Sequence, residues 1–161
     1  MHSMSEPRVG CGAAIVVDGQ ILLLRRLKPP EAGCWGLSGG KIDLFETAEA
    51  AMRREVSEEL GITVGAADWL CWVDQIDTDA GTHWVAPVYR VRDFTGTPRN
   101  CEPTKHEGPQ WFALDALPER LTTPTRVAVA ALTGQWRDRR VSETTFDQRP
   151  PPQGGGGMPQ A

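Results

Sequence analysis

Residues 40–62 read GKIDLFETAEAAMRREVSEELGI, and the fold follows from how this stretch is read. It is opened by Gly39 and Gly40, closed by Gly61, and between them reads as one helix whose last turns carry Arg54, Glu55, Glu58 and Glu59. Glu55, Glu58 and Glu59 stand three and four residues apart and so share a helix face, with Ala48, Ala51 and Met52 one turn or more earlier on that face. Like charges at this spacing cost roughly 0.2 to 0.5 kcal/mol per pair. The macrodipole adds to the conflict, because the end of a helix favours cations. A chain that breaks local rules at one point usually does so at a site. A divalent cation resolves the conflict: clustered carboxylate oxygens suit Mg2+ or Mn2+, with water and substrate phosphates filling the other positions. The plain alternative is a solvated acidic helix end. The apolar residues on the same face, the paired glycines and Arg54 weigh against it.

Gly40, Glu46, Arg54, Glu55, Val56, Glu58, Glu59, Gly61 and Ile62 fill every fixed position of the pattern G-x5-E-x7-R-E-U-x-E-E-x-G-U, where U is a bulky aliphatic. The stretch thus resembles the Nudix box, and the chain is similar to the Nudix hydrolases, which cleave nucleoside diphosphates linked to another group. The resemblance implies an α/β (α+β) sandwich with a mixed β-sheet between helices, and a loop-helix-loop that holds divalent ions under a diphosphate. It implies Glu58, Glu59 and the Gly39 carbonyl as metal ligands, with Glu55 as a further ligand or as the group that orients the attacking water. Glu46 and Arg54 would pair to brace the loop against the helix. The implied cofactor is Mg2+, with Mn2+ as an alternative.

At 161 residues the chain is long enough for one domain with an ordinary core. Apolar residues at 40% and charged residues at 24% are usual for a globular protein. A net charge of −4 argues against a general electrostatic grip on nucleic acid polymer, though not against a small anion held through metal. Cys11, Cys34, Cys71 and Cys101 form no C-x-x-C pair, which suggests free thiols in a reducing compartment. Without a signal-like apolar run at the start, or a segment near the roughly 20 apolar residues needed to span a bilayer, the expected location is the cytoplasm, with no membrane partner.

The chain in order supports three parts: a flexible start over 1–7, the hydrolase-like domain over 8–135, and a disordered tail over 136–161 that is rich in proline and glycine. Residues 8–17 and 21–26 read as a hairpin about the Asp18-Gly19 turn. Residues 27–40, with two prolines and four glycines, read as a loop that Trp35 anchors in the core. Ser38 and Phe45 depart from the proline and glycine common at those places in the family. Strands are expected over 67–76 and 83–91, with Trp69 and Cys71 on one side and Leu70 and Trp72 on the other. Pro87 marks an edge or a bulge. A polar working loop follows over 93–109, then a short strand over 110–114. The last helix starts with Thr123 as N-cap and Pro124 in its first turn.

The segment from Asn100 to Trp111 is similar to the corresponding loop and strand of MutT-like nucleoside triphosphate diphosphatases. By that similarity Glu107, or else Glu102, adds a carboxylate to the metal site or acts as base, with Glu107 preferred. His106 reads as an exposed loop residue. Arg26, or else Lys41, would balance charge on the leaving pyrophosphate, and the Gly39-Gly40 backbone would lie against the substrate. The expected reaction is metal-dependent hydrolysis of a nucleoside triphosphate to monophosphate and pyrophosphate, with Glu55, Glu58 and Glu107 catalytic. ADP-ribose or a nucleotide sugar is the alternative substrate, and a non-catalytic binding module the alternative class. A homodimer is compatible with the tryptophan-rich sheet.

Overall fold

The computed structural model describes residues 6–134; the expected tail lies outside the described residues. The chain runs β1 (Arg8–Val17), β2 (Gln20–Arg26), β3 (Trp35–Gly36), β4 (Ser38–Lys41), α1 (Ala48–Leu60), β5 (Thr63–Val64), β6 (Ala67–Asp77), β7 (Thr82–Val91), β8 (Phe94–Thr95), β9 (His106–Ala113) and α2 (Thr123–Leu132).

β1 organises the sheet. It pairs parallel with β7 over most of its length, antiparallel with β4 from Gly10 to Ala13, and antiparallel with β2 only at Val16 and Val17. β6 extends the sheet beyond β7, while β3 and β9 flank β2. One parallel pairing among antiparallel ones makes the sheet mixed, and a helix covers each face. Residues of β1 are buried on both sides, which is why RVGCGAAIVV reads as a nearly continuous apolar run rather than an alternation. Cys11, Ala13 and Ile15 face α1 with Leu22 and Leu24; there they meet Met52, Val56 and Leu60. Ala14 and Val16 face α2 with Ile21 and Leu23, and pack with Val73, Val88 and Ala128.

The box helix is bounded by its own chemistry. Thr47 is its N-cap, with the side-chain oxygen accepting from the Ala50 N–H at 3.1 Å. Gly61 ends it at φ 67°, a left-handed conformation that glycine adopts without strain, and donates its N–H to the Ser57 carbonyl at 2.9 Å.

Several local expectations are corrected. The segment 27–40 contains two short strands, because Trp35 and Gly36 pair with Arg25 and Leu24 and residues 38–41 pair with β1. β9 begins at His106 rather than 110, since Arg25 and Arg26 offer ladder partners to Glu107 and His106. The α2 N-cap is Thr122, one residue early. Pro124 has no N–H to give, so the Thr122 oxygen takes that of Thr125 instead, at 3.4 Å. A bulge between Trp69 and Cys71 breaks the alternation of β6, so Trp69 and Trp72 are both exposed while Cys71 and Val73 are buried. Trp35 packs against the α2-side core with its ring edge-on to Phe112, centroids 4.9 Å apart.

Phe45 stands at φ 68° with its side chain 97% exposed. The left-handed conformation costs a residue with a Cβ roughly 1 kcal/mol, and no burial offsets it here. Phe45→Gly is expected to stabilise the protein by about 0.5 to 1 kcal/mol, read as a higher midpoint in urea with an unchanged slope.

Candidate active site

β4 is the wall on which the site is built. Its Gly39 packs against the Cys11 carbonyl and the Gly12 Cα so closely that a Cβ would overlap both, and a Cβ on Gly40 would lie 2.6 Å from the Glu55 carboxyl carbon. Only glycine lets α1 bring its carboxylates against this backbone. The Gly39 N–H donates to Glu59 Oε1 at 3.0 Å. The Cys11 thiol donates to the Gly40 carbonyl at 3.5 Å, and burial pushes that thiol up to about 11.

Arg54 gathers the remaining acids. Its Nε and Nη2 donate to Glu46 Oε1 and Oε2 at 2.8 and 2.9 Å, a two-pronged pair across the loop. Nη1 reaches Glu55 Oε1 at 2.9 Å and Glu58 Oε2 at 3.3 Å, and Nη2 also donates to the Lys41 carbonyl at 3.1 Å. The Arg54 hydrogen bonds hold the Glu46 carboxyl down to about 2, and those carboxylates push the guanidinium pKa up in turn. Burial raises the Glu55 pKa, and its bond to Arg54 opposes the shift. Glu58 is half exposed, unlike the buried Glu59.

Among the described residues no arginine pairs with Glu59. It is 3% exposed and shares the buried stripe of α1 with Met52, Val56 and Leu60; burial pushes its carboxyl up to about 8. The loop after β8 reaches it by capping the helix: the N–H groups of Arg99 and Cys101 donate to the Leu60 and Glu59 carbonyls at 3.0 and 2.9 Å. These are carbonyls that a helix end leaves unsatisfied. That stitching brings Glu102 beside Glu59, and Asn100 fixes the loop further by donating to the His106 carbonyl at 2.6 Å. One ligand atom each of Glu59, Glu102 and His106 lies within 4.8 Å of the others. His106 is not the exposed loop residue that its neighbours suggest. Its side chain is 12% exposed with Nε2 3.5 Å from Glu59 Oε2, and its Nδ1 is buried without a hydrogen-bond partner. Burial, then the nearby Arg26, lowers its pKa.

Of the two loop carboxylates it is therefore Glu102 that meets Glu59. Glu107 leaves β9 on the opposite side from His106 and pairs with Arg25 at 3.1 Å, both half exposed. Glu58 is turned to Arg54 rather than into this group.

The other side of β4 opens into a cleft of about 280 Å³. Gly39, Gly40 and Lys41 form one wall, with Arg26, Glu31, Gln75 and Trp84 among the other lining residues. Arg26 is held by a 2.7 Å bond from its Nε to the Pro30 carbonyl. Of the three tryptophans flanking the 78–82 turn, Trp84 is the one in the cleft. Glu31 and Gln75 escaped the sequence reading: nothing local marks Glu31, whereas Gln75 shows only as a polar residue two places after the buried Val73.

Residues 6–132 match the family model described as the NUDIX domain, and the chain belongs to that family. It is 42% identical over 89 residues to a Mycobacterium tuberculosis protein provisionally named 8-oxo-dGTP diphosphatase 2, a match covering 53% of this chain and 61% of that protein. The chain thus spans about three-fifths of that relative's length. It is 30% identical over 114 residues to an ADP-ribose pyrophosphatase of Methanocaldococcus jannaschii, covering 71% of this chain and 66% of that one. The crystal structure of a MutT NUDIX hydrolase from Burkholderia pseudomallei superposes with a TM-score of 0.79 at 57% identity, over 80% of this chain and 99% of that one.

The buried acid generates a pH signature. A carboxyl whose folded pKa lies near 8, against an ordinary 4.5, favours the folded state only while protonated. Its stabilising contribution is complete below about 4.5 and is lost as pH rises to about 8. Metal-free protein is expected to lose stability over that window relative to Glu59→Gln, and added Mg2+ to restore it most at the alkaline end, since binding needs the ionised carboxylate. Urea unfolding at pH 5, 6.5 and 8, with and without Mg2+, checks this.

Proposed function

We propose that the protein hydrolyses the diphosphate link of a nucleoside triphosphate, releasing the nucleoside monophosphate and pyrophosphate, in a reaction that depends on Mg2+ or Mn2+. The observation that carries this is the two-sided β4 wall, with carboxylates gathered on its α1 side and a cleft lined by a tryptophan and two cations on the other. The activity resides in residues 8–135.

The donor set fits a hard divalent ion. Glu59 is buried without a cation and its pKa is raised accordingly, and an imidazole and a second carboxylate stand within 4.8 Å. Glu59 and Glu102 would hold the ion with Glu55 beside them, and the role implied for the Gly39 carbonyl completes the set. Such an ion neutralises diphosphate oxygens and lowers the pKa of bound water toward neutrality.

The chain's own groups supply the rest. Water adds to phosphorus, one P–O bond forms and the bridging P–O bond breaks, and the proton passes to a carboxylate within hydrogen-bond reach. Glu55, locked by Arg54 against Gly40, is the best-placed carboxylate for that role. Glu102 rather than Glu107 adds the carboxylate from the loop, because Glu107 faces Arg25. Glu58 shares the guanidinium of Arg54 and so keeps Glu55 from being over-neutralised. Arg26 and Lys41 attract the phosphate chain and balance the charge on the departing pyrophosphate. The β4 backbone has no side chain to keep the substrate away from the carboxylates.

A panel of nucleoside triphosphates, ADP-ribose and nucleotide sugars, with products identified by mass, tests this reading. The expected outcome is monophosphate plus pyrophosphate from a triphosphate, only with metal, with turnover reduced at least about 100-fold in Glu59→Gln and in Glu55→Gln. ADP-ribose, the substrate in the name of the Methanocaldococcus relative, is the rival: AMP and ribose phosphate as the dominant products would replace the triphosphate reading. Tight nucleotide binding without any turnover would point to a binding module.

A further inference from the structure

Beside the carboxylates gathered against β4 stands one nitrogen donor, and local structure places it there. The Glu102 carbonyl accepts from the N–H groups of both Lys105 and His106, at 2.9 and 3.1 Å, so the chain makes one helical turn between Glu102 and His106. Residues four apart on such a turn lie side by side. Asn100 fixes the turn at both ends: its Nδ2 donates to the His106 carbonyl at 2.6 Å, and its Oδ1 accepts from the Glu102 N–H at 3.1 Å. Glu59 is fixed from the other side. Its Oε1 accepts from the Gly39 N–H at 3.0 Å, which leaves Oε2 to face the imidazole.

The spacing suits a shared ion better than a hydrogen bond. His106 Nε2 lies 3.5 Å from Glu59 Oε2, beyond the roughly 2.7 to 2.9 Å of a charge-assisted hydrogen bond. Two donors that share one ion at about 2.1 Å each stand about 3.0 to 3.4 Å apart. Among the described residues nothing bonds to Nδ1 of the ring, so no partner fixes the proton on Nε2. With the proton on Nδ1, Nε2 turns a lone pair toward Glu59. Glu102 completes the group: one ligand atom of each residue lies within 4.8 Å of the others, a span that a turn of the Glu102 side chain can close. One Glu102 oxygen accepts from Lys105 Nζ at 3.3 Å, and the other can face the ion.

We propose that His106 is itself a metal ligand and that the set of Glu59, Glu102 and His106, two oxygens and one nitrogen, selects a first-row transition ion, Mn2+ in particular, over Mg2+. The inference rests on the reading that this cluster holds the divalent ion of the reaction, but ligation is testable by binding alone. Mg2+ takes oxygen donors and gives up water reluctantly, so an imidazole adds little to its binding. First-row transition ions take imidazole readily, with affinity rising from Mn2+ along the row, and Mn2+ is the member that also suits carboxylate and carbonyl oxygens. The spacing of the box glutamates carries no sign of this donor, because the nitrogen arrives on β9 through its register with β2. His106→Gln is the informative change: it replaces the nitrogen with an amide oxygen, which serves Mg2+ and Mn2+ alike.

The experiment measures binding of Mg2+ and of Mn2+ to nucleotide-free protein by calorimetry, in the natural protein and in His106→Gln. Pulsed electron paramagnetic resonance of the bound Mn2+ reads whether a nitrogen is attached to it. The expected result is a nitrogen coupling in the natural protein that His106→Gln removes. Mn2+ affinity falls at least about tenfold in the variant, the loss usual for a disturbed ligand shell, and Mg2+ affinity falls far less. Thermal unfolding identifies a variant that has lost its fold; the nitrogen coupling in the natural protein then carries the test. Bound Mn2+ without nitrogen coupling, no Mn2+ binding at all, or equal losses of Mg2+ and Mn2+ in His106→Gln overturns the inference, whether or not the protein hydrolyses nucleotides. Mn2+ bound through nitrogen, in a protein that turns over no nucleotide with either ion, instead overturns the reading of the reaction.

Discussion

The rest of the structure depends on the closeness of β4 to both of its neighbours. Gly39 lies directly on the β1 backbone and Gly40 lies under the Glu55 carboxylate, and in each case the missing side chain is what allows the approach. The wall thus has the α1 carboxylates packed on one side and the cleft open on the other. The wall also explains why the N-terminal half of β1 is glycine-rich. Gly10 and Gly12 pair with Lys41 and Gly39, so the two strands meet along backbone rather than along side chains.

Crowding carboxylates against that wall creates an electrostatic problem that the chain solves in two ways. Arg54 answers part of it: one guanidinium satisfies Glu46 and Glu55 and approaches Glu58 and Asp43, which fixes the loop ahead of the helix to the helix itself. Among the described residues Glu59 receives a backbone N–H from Gly39 and a distant imidazole, and no arginine. A buried carboxylate with that little compensation holds its proton near neutrality. The paired charges tie the loop ahead of α1 to the helix, while burial leaves Glu59 with a raised pKa.

Much of this was legible in the sequence, because the relevant information is local. Glycine spacing, the i, i+3, i+4 acids and the periodic apolar residues all lie within the 40–62 stretch, and the helix they describe is present with its Thr47 and Gly61 caps. The long strands β1, β6 and β7 were readable for the same reason. What escaped depends on contacts between distant residues. Whether Glu102 or Glu107 meets Glu59 is decided by which loop amides cap α1 and by the β2–β9 register, and neither leaves a trace in the loop's own sequence. His106 looks exposed among polar neighbours and is buried by the same register. The outward turn of Trp69 follows from a bulge in β6 beside Pro87 of the facing strand; the proline signals an edge or a bulge, but not which tryptophan it turns outward.

Glu31 shows the limit most clearly. Its neighbours Pro29, Pro30, Ala32 and Gly33 mark a turn, and turn chemistry alone gives its carboxylate no partner. In the fold it ties three distant elements together, reaching Thr123 at the start of α2 and Gln75 on β6 from the loop after β2. Satisfying the first N–H of α2 would need only one oxygen. The second oxygen is committed to an amide that borders the cleft, and that commitment removes the freedom an isolated glutamine side chain has to present either end. The left-handed backbone at Glu31 is thus held in place by side-chain bonds to two distant elements, a constraint that no local turn signal announces.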